Sequence, residues 1–291
     1  MSTLIRLQSR AELRAWRDSL PASSTVGFVP TMGALHRGHA SLLEASSQAN
    51  TFSLASIFVN PLQFNEGADF KRYPRTVDED CALLEQGGVH AVYLPDRADM
   101  YPDGYETRVR SGPGGELYEG YSRPGHFEGM LTVVLKLFQR CQPDRAYFGE
   151  KDAQQLWLVQ RMAQDLDLDI EVLGCPTVRE EDGLAFSSRN AFLSPQQREA
   201  APVVVRALRA CHAAFQSGER AVSQLERAMH DLLRAEPSAS IEYADVVDER
   251  TFRPADTDQP GPWRAVAAVR IGDTRLIDNL VLGDARQAAE R

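Results

Sequence analysis

Along the first two-thirds of the chain, apolar residues alternate between two rhythms. Residues 25–29 and 52–59 are short, nearly continuous apolar runs, the pattern of strands covered on both faces. Between them, residues 39–49 turn Leu42 and Leu43 to one side, as a helix with one buried face does. The alternation continues with helices expected over 9–19 (around Leu13 and Trp16), 78–86 and 129–140. Strands are expected at 90–94, 145–148 and 170–173. A further helix runs through Leu156, Leu158, Val159 and Met162, with Asp152 placed to cap it. Such repetition predicts an open parallel sheet with helices on both faces and right-handed crossovers. In that architecture ligands sit at the carboxyl ends of the strands.

Near Pro176 the pattern changes. A polar stretch over 177–190 precedes a helix opened by Ser194-Pro195 and expected to reach about Phe215. A second helix follows over 222–234, then strands over 241–247, 265–271 and 275–282, the last two joined by a tight turn at Gly272-Asp273. Helices followed by antiparallel strands form a separate module. The expectation is an α/β protein: a Rossmann-like parallel-sheet N-terminal domain over 1–178 and a smaller α+β C-terminal domain over 179–291.

Composition narrows the function. The 291 residues carry 32 Lys+Arg against 41 Asp+Glu, a formal charge of -9, which argues against a general nucleic-acid binder. A nucleotide needs only local positive groups, so it stays open. Cys81, Cys141, Cys175 and Cys211 form no C-x-x-C pair and have no closely spaced histidines. Reduced buried thiols fit better than a disulfide framework or a zinc site. The N-terminus lacks a basic segment followed by an apolar run, and no stretch reaches the length of a membrane span. A soluble, cytoplasmic protein with no membrane partner is expected.

Four polar segments carry candidate chemistry. Met32-Gly33-Ala34-Leu35-His36-Arg37-Gly38-His39 leaves the first buried strand through a glycine-marked turn and enters a helix. A helix start offers unpaired N–H groups and partial positive charge to an anion, and the two histidines add donors. Gly33-x4-Gly38 has a Walker-like spacing, but His39-Ala40 stands where Lys-Ser/Thr is required, and no G-x-G-x-x-G occurs. Asn60-Pro61-Leu62-Gln63-Phe64 follows the second strand with two uncharged amides. Gly149-Glu150-Lys151-Asp152, with Gln155, places a lysine at a strand-to-helix turn. Phe186-Ser187-Ser188-Arg189-Asn190 combines hydroxyls with a guanidinium, which suits a polyphosphate. Each segment alone has a plainer explanation: a capping histidine pair, an asparagine turn, a solvated lysine, an ordinary loop.

Together they resemble a known family. His36-x-Gly38-His39 is similar to the HxGH signature of the nucleotidyltransferase superfamily, and Ser187-Ser188-Arg189 to its second, mobile basic motif. The strings from Phe28 to His36, Phe58 to Phe64, Tyr73-Pro74-Arg75, Arg123-Pro124-Gly125-His126-Phe127, Phe148 to Asp152 and Ser187 to Asn190 resemble the pantoate–β-alanine ligases (pantothenate synthetases), over nearly the whole chain. Phe186 departs from the Met or Leu common there and still offers an apolar contact.

The resemblance implies ATP-driven condensation of (R)-pantoate with β-alanine through a pantoyl adenylate, with magnesium bound with ATP, no residue of the chain assigned as its ligand, and a homodimer formed through the N-terminal domain. It implies that His39 and His36, with Lys151 and Arg189, are catalytic. Met32 to His39, Gly149 to Asp152, Val178 and Phe186 to Arg189 would bind ATP. Gln63 and Gln155, with Asn60 nearby, would bind pantoate, and Gln63 would also meet the incoming β-alanine amine. A further expectation is that the C-terminal domain acts as a lid, carrying Ser187–Arg189 onto ATP and excluding water. The alternatives are an adenylyltransferase of the same superfamily, a non-catalytic nucleotide-binding regulator and an RNA-acting synthetase. The Asn60–Phe64 string and Gln155 speak against the first, the retained His39 and Lys151 against the second, and the acidic total against the third.

Overall fold

The computed structural model describes residues 3–64, 70, 73–259 and 261–283. They divide into two compact units, one of the described residues up to 150 together with 154–176, the other of 151–153 and the described residues from 177 to 283.

The first unit is a six-stranded parallel sheet: β1 (Ile5–Leu7), β2 (Val26–Thr31), β3 (Phe52–Ile57), β4 (Ala91–Tyr93), β5 (Arg145–Gly149) and β6 (Glu171–Cys175), in the spatial order β1-β4-β3-β2-β5-β6. Alternate residues serve opposite faces. Phe28, Leu54 and Tyr93 pack with the helices Arg10–Asp18, His126–Cys141 and Ala153–Asp165. Val29, Ala55 and Val92 pack with Arg37–Ala49 and Val77–Gln86. Burial on both faces explains the unbroken apolar runs. β1, three residues with one buried side chain, gives no such signal.

Connection order reverses beside β2: the chain goes from β2 to β3 and β4 on one side, then to β5 and β6 on the other. β2 pairs with β3 along its full length, from Val26↔Phe52 to Thr31↔Ile57, but with β5 only at Gly27↔Arg145 and Phe28↔Ala146. Pro30 accounts for the break. The carbonyls of Thr25 and Thr31 bond toward β3, at Phe52 and Phe58, and that of Val26 toward β5, at Asp144. By alternation the nitrogen of Pro30 faces β5, where it has no hydrogen to donate. The sheet therefore parts at the carboxyl ends of β2 and β5, the switch point where open α/β sheets bind ligands.

The second unit holds an antiparallel sheet, β7 (Ala239–Asp248), β8 (Trp263–Ile271) and β9 (Thr274–Leu282), packed with the helices Val203–Gln216 and Val222–Arg234. Gly272, at φ +58, opens the two-residue turn between β8 and β9. The single helix expected from Ser194 to Phe215 is two, Pro195–Ala200 and Val203–Gln216. Pro202 lacks the amide that would continue the first and suits the start of the second. Asp152 ends a 3-10 turn, Glu150–Asp152, and directly precedes the helix Ala153–Asp165.

Candidate active site

Where β2 ends, the chain makes a left-handed step at Gly33 (φ +82) and Ala34 (φ +52) and then starts the helix Arg37–Ala49 with His36 as its N-cap. Both histidines cap this helix. His36 Nδ1 accepts the Gly38 N–H at 3.1 Å, and His39 Nδ1 accepts the His36 N–H at 3.2 Å. A backbone amide can only donate, so Nδ1 is the acceptor in each ring and the ring hydrogen lies on Nε2. The rings lie 4.2 Å apart. The turn thus presents two Nε2–H donors next to a helix N-terminus, a pairing suited to phosphate oxygens. The amides of Ala34 and Leu35 are already taken by the buried carboxylate of Asp80, at 3.0 and 2.7 Å.

After β3, the Pro61–Gln63 turn carries the two candidate amides. Asn60 is fully buried, and its side chain is engaged by the protein. Its Nδ2 donates to Gln63 Oε1 and to the Gly129 carbonyl, both at 3.0 Å. Its Oδ1 accepts from the Leu62 amide at 3.3 Å and the Tyr101 hydroxyl at 2.8 Å. Burial pushes the Tyr101 phenol well up, with Tyr105 adding to it, so Tyr101 remains a donor. Gln63 is in turn aimed by Asn60 and by Met32, whose Sδ accepts from Gln63 Nε2 at 3.1 Å.

Two groups that sequence reasoning left without a role set the backbone of this turn. His126 Nδ1 lies 2.9 Å from the Gln63 carbonyl, and Arg123 lies 3.1 Å from His126 Nε2. A carbonyl only accepts and a guanidinium only donates, so His126 is neutral with its hydrogen on Nδ1. Gly129 permits the close approach: a Cβ there would stand 2.2 Å from the Leu62 carbonyl oxygen. Gln154 is a third group left without a role, and it braces a different loop. It takes the Glu119 amide at 3.0 Å and donates to the Gly114 and Leu117 carbonyls at 2.8 and 2.9 Å. Buried Gln154 braces a loop while its neighbour Gln155 stays partly exposed.

In the second unit, Lys151 is held at both ends: its carbonyl accepts from Asn279 Nδ2 at 2.9 Å, and Nζ lies 3.6 Å from Asp152. Asn279 is braced in turn by Arg264. The segment from Val178 to Arg189 is a small hairpin: Phe186 donates to the Val178 carbonyl at 3.0 Å, Arg179 bridges to Ala185, and Gly183 turns at φ +91. Asn190 pins its base to Glu180 and to the Ala185 carbonyl, both at 3.1 Å, and Arg198 ties Glu180 to Asp182 at 2.7 and 2.5 Å. Ser187 Oγ caps the Arg189 amide at 3.2 Å, leaving Ser188 and Arg189 exposed.

Comparison with known proteins decides the family. The pantoate–β-alanine ligase model matches residues 6–281. The chain belongs to the pantoate–β-alanine ligase family. It is 48% identical to the pantothenate synthetase of Rubrobacter xylanophilus, across 97% of this chain and 100% of that protein. It is 51% identical to that of Thermus thermophilus, across 93% and 96%. The crystal structure of pantothenate synthetase from Thermus thermophilus superposes with a TM-score of 0.89 at 49% identity, covering 96% of this chain and 99% of that one. A Francisella tularensis pantoate–β-alanine ligase, complexed with β,γ-ATP and β-alanine, superposes at 0.77 and 34% identity, covering 96% and 97%. The parallel sheet with a smaller antiparallel sheet is thus the architecture of pantoate–β-alanine ligases.

Proposed function

We infer that this chain, a pantoate–β-alanine ligase, condenses (R)-pantoate with β-alanine at the expense of ATP through a pantoyl adenylate. The observation that carries the route is the start of the helix after β2. It stands where β2 and β5 part, and two histidines there keep their hydrogens on Nε2. A pantoate carboxylate oxygen attacks the α-phosphorus of ATP, and the bond to the β-phosphate oxygen breaks to release pyrophosphate. The amine of β-alanine then attacks the acyl carbon, and the C–O bond to AMP breaks. The products are pantothenate, AMP and a proton.

Phosphoryl-type transfer calls for positioning and charge stabilisation. We assign His39 and His36 to donate from Nε2 as charge grows on the phosphates. Lys151 and Arg189 supply fixed positive charge, and Ser187 and Ser188 hold phosphate oxygens. Met32 to Leu35, Arg37 and Gly38 line the nucleotide, while Gly149, Glu150, Asp152, Val178 and Phe186 meet its ribose and adenine. Gln63 and Gln155 hold pantoate. Neutral amides orient a carboxylate while leaving it more nucleophilic than a cation would. Asn60 acts through Gln63, since its own polar atoms are engaged.

The donors in this set are imidazole N–H, ammonium, guanidinium and hydroxyl, which fit phosphate oxygens. Magnesium would accordingly arrive with ATP and be held chiefly by its phosphates, where it neutralises charge on the departing pyrophosphate. The four cysteines are buried free thiols with pKa values raised by burial, so none offers a thiolate for a thioester route. Reduced thiols support a cytoplasmic setting, and no described helix is long and apolar enough to cross a membrane. A homodimer through the N-terminal unit is proposed from the family resemblance.

The test is a reconstituted reaction with ATP, magnesium, pantoate and β-alanine. AMP and pantothenate are expected to form in equal amounts, each dependent on pantoate. AMP formation without pantoate would overturn the ligase assignment.

A further inference from the structure

We propose that Asp80 is a positioning residue for adenylation, fixing the Gly33–Leu35 backbone in the one shape that aims His36 and His39. The inference rests on the histidine roles assigned above.

Asp80 comes from the helix Val77–Gln86, remote in sequence from the turn, and is 2% exposed. Its Oδ1 accepts the Leu35 amide at 2.7 Å. Its Oδ2 accepts the Ala34 amide at 3.0 Å and the Thr76 hydroxyl at 3.2 Å. One carboxylate therefore spans two successive backbone amides just past the end of β2. Successive amides in such a turn form a concavity that binds anions. Here its occupant is a side chain of the protein itself.

The turn needs this brace. Gly33 and Ala34 are both left-handed, and Ala34 carries a Cβ that disfavours that region. Such a conformation lasts only where the surroundings over-determine it. Thr31 Oγ holds the Gly33 amide at 3.2 Å, and Asp80 holds the next two. The fit is close: a Cβ on Gly33 would stand 2.9 Å from Asp80 Oδ2 and 3.1 Å from Ile57 Cγ2. His36 follows at once as N-cap, and its ring is fixed by the Gly38 amide. Releasing the turn would swing the residue on which both imidazoles are referenced. Small displacements of groups that act on a transition state cost large factors in rate.

The experiment compares Asp80→Asn, Thr76→Val, His39→Ala and the double variant Asp80→Asn/Ala34→Gly in pantoate-dependent pyrophosphate release, with folding followed by circular dichroism. Asparagine keeps the shape but sets an NH2 against a backbone donor. Asp80→Asn is expected to lower kcat at least about 10-fold with the KM for β-alanine within about 2-fold. Ala34→Gly is expected to recover part of that loss, because glycine adopts the turn unaided. Thr76→Val, which removes only one of the three bonds, is expected to lower kcat in the same direction by less.

Wild-type kcat in folded Asp80→Asn overturns the proposal, and so does a loss that Ala34→Gly does not relieve. If Asp80→Asn does not fold, Thr76→Val decides, and wild-type kcat there overturns it. His39→Ala separates the two levels: wild-type turnover by that variant defeats the histidine assignment itself, whereas a slow His39→Ala beside a normal Asp80→Asn defeats only the role of Asp80.

Discussion

His39 caps the residue that precedes it in the same helix start: its Nδ1 accepts the His36 amide at 3.2 Å, with the two rings 4.2 Å apart. In the proposed mechanism the helix cap and the donor to ATP are thus one side chain, with structure on Nδ1 and chemistry on Nε2. His39→Ala should lower kcat for pyrophosphate release about 10²–10⁴-fold. It should cost only about 0.5–2 kcal/mol of stability, because the His36 cap remains. Stopped-flow pyrophosphate release and thermal unfolding check the two numbers; a large stability loss with normal turnover would reverse the assignment.

Asn60 and Gln63 should separate into a brace and a ligand. Gln63→Ala removes the proposed pantoate contact, so the KM for pantoate should rise about 10-fold with little change in unfolding free energy. Asn60→Ala leaves the Tyr101 hydroxyl and Gln63 Oε1 unpaired in a buried place, and should cost about 1–3 kcal/mol as well as raising that KM. Denaturant titration of both variants beside their kinetics distinguishes the two roles.

Gly129→Ala drives a methyl group into the Leu62 carbonyl. About 1–3 kcal/mol of destabilisation is expected. The pantoate KM should rise with it, since the turn pushed aside bears Gln63. Unfolding and kinetics on one variant test the coupling; destabilisation with an unchanged KM would break it.

Most of the architecture is legible in the sequence because burial on both sheet faces writes itself as apolar runs: Val26 to Val29 and Phe52 to Ile57 could hardly be anything else. β1 escapes notice because three residues with one buried side chain leave no period to detect. The helix break at Pro202 is masked, since the apolar pattern resumes at Val203 in helical phase. Among the proposed site residues, those with distinctive chemistry in turns are visible: His36 and His39 after β2, Lys151 after β5, and Arg189 in the 3-10 turn Ser188–Phe192. The braces behind them are not. Asp80 reads as one more acidic residue in the first turn of its helix, beside Asp78 and Glu79. Gln154 and Gln155 are the same residue type in succession, and only the packed helix shows which one braces the loop.

The second unit should carry a pH signature of its own. Burial raises the pKa of Glu226, against the Val246 amide that its Oε1 accepts at 3.2 Å, and burial likewise raises Asp245. A carboxyl raised on folding binds its proton more tightly in the folded state. Its contribution is therefore favourable below the ordinary carboxylate range and is lost as pH rises through the raised folded value. Glu226→Gln keeps the acceptor and removes the charge. Its stability relative to wild type should improve as pH rises from the ordinary carboxylate range through the raised folded value. Urea unfolding at several pH values checks the trend, and a constant difference would show that Glu226 titrates alike folded and unfolded.

The central claim is that pantoate is activated as an acyl adenylate. In that route the carboxylate oxygen that attacks the α-phosphorus leaves with AMP. Turnover of carboxyl-¹⁸O-labelled pantoate with ATP and β-alanine, read by mass spectrometry or ³¹P NMR, follows that oxygen. One ¹⁸O in each AMP formed is the predicted result; label in inorganic phosphate, with ADP as the nucleotide product, would contradict the account.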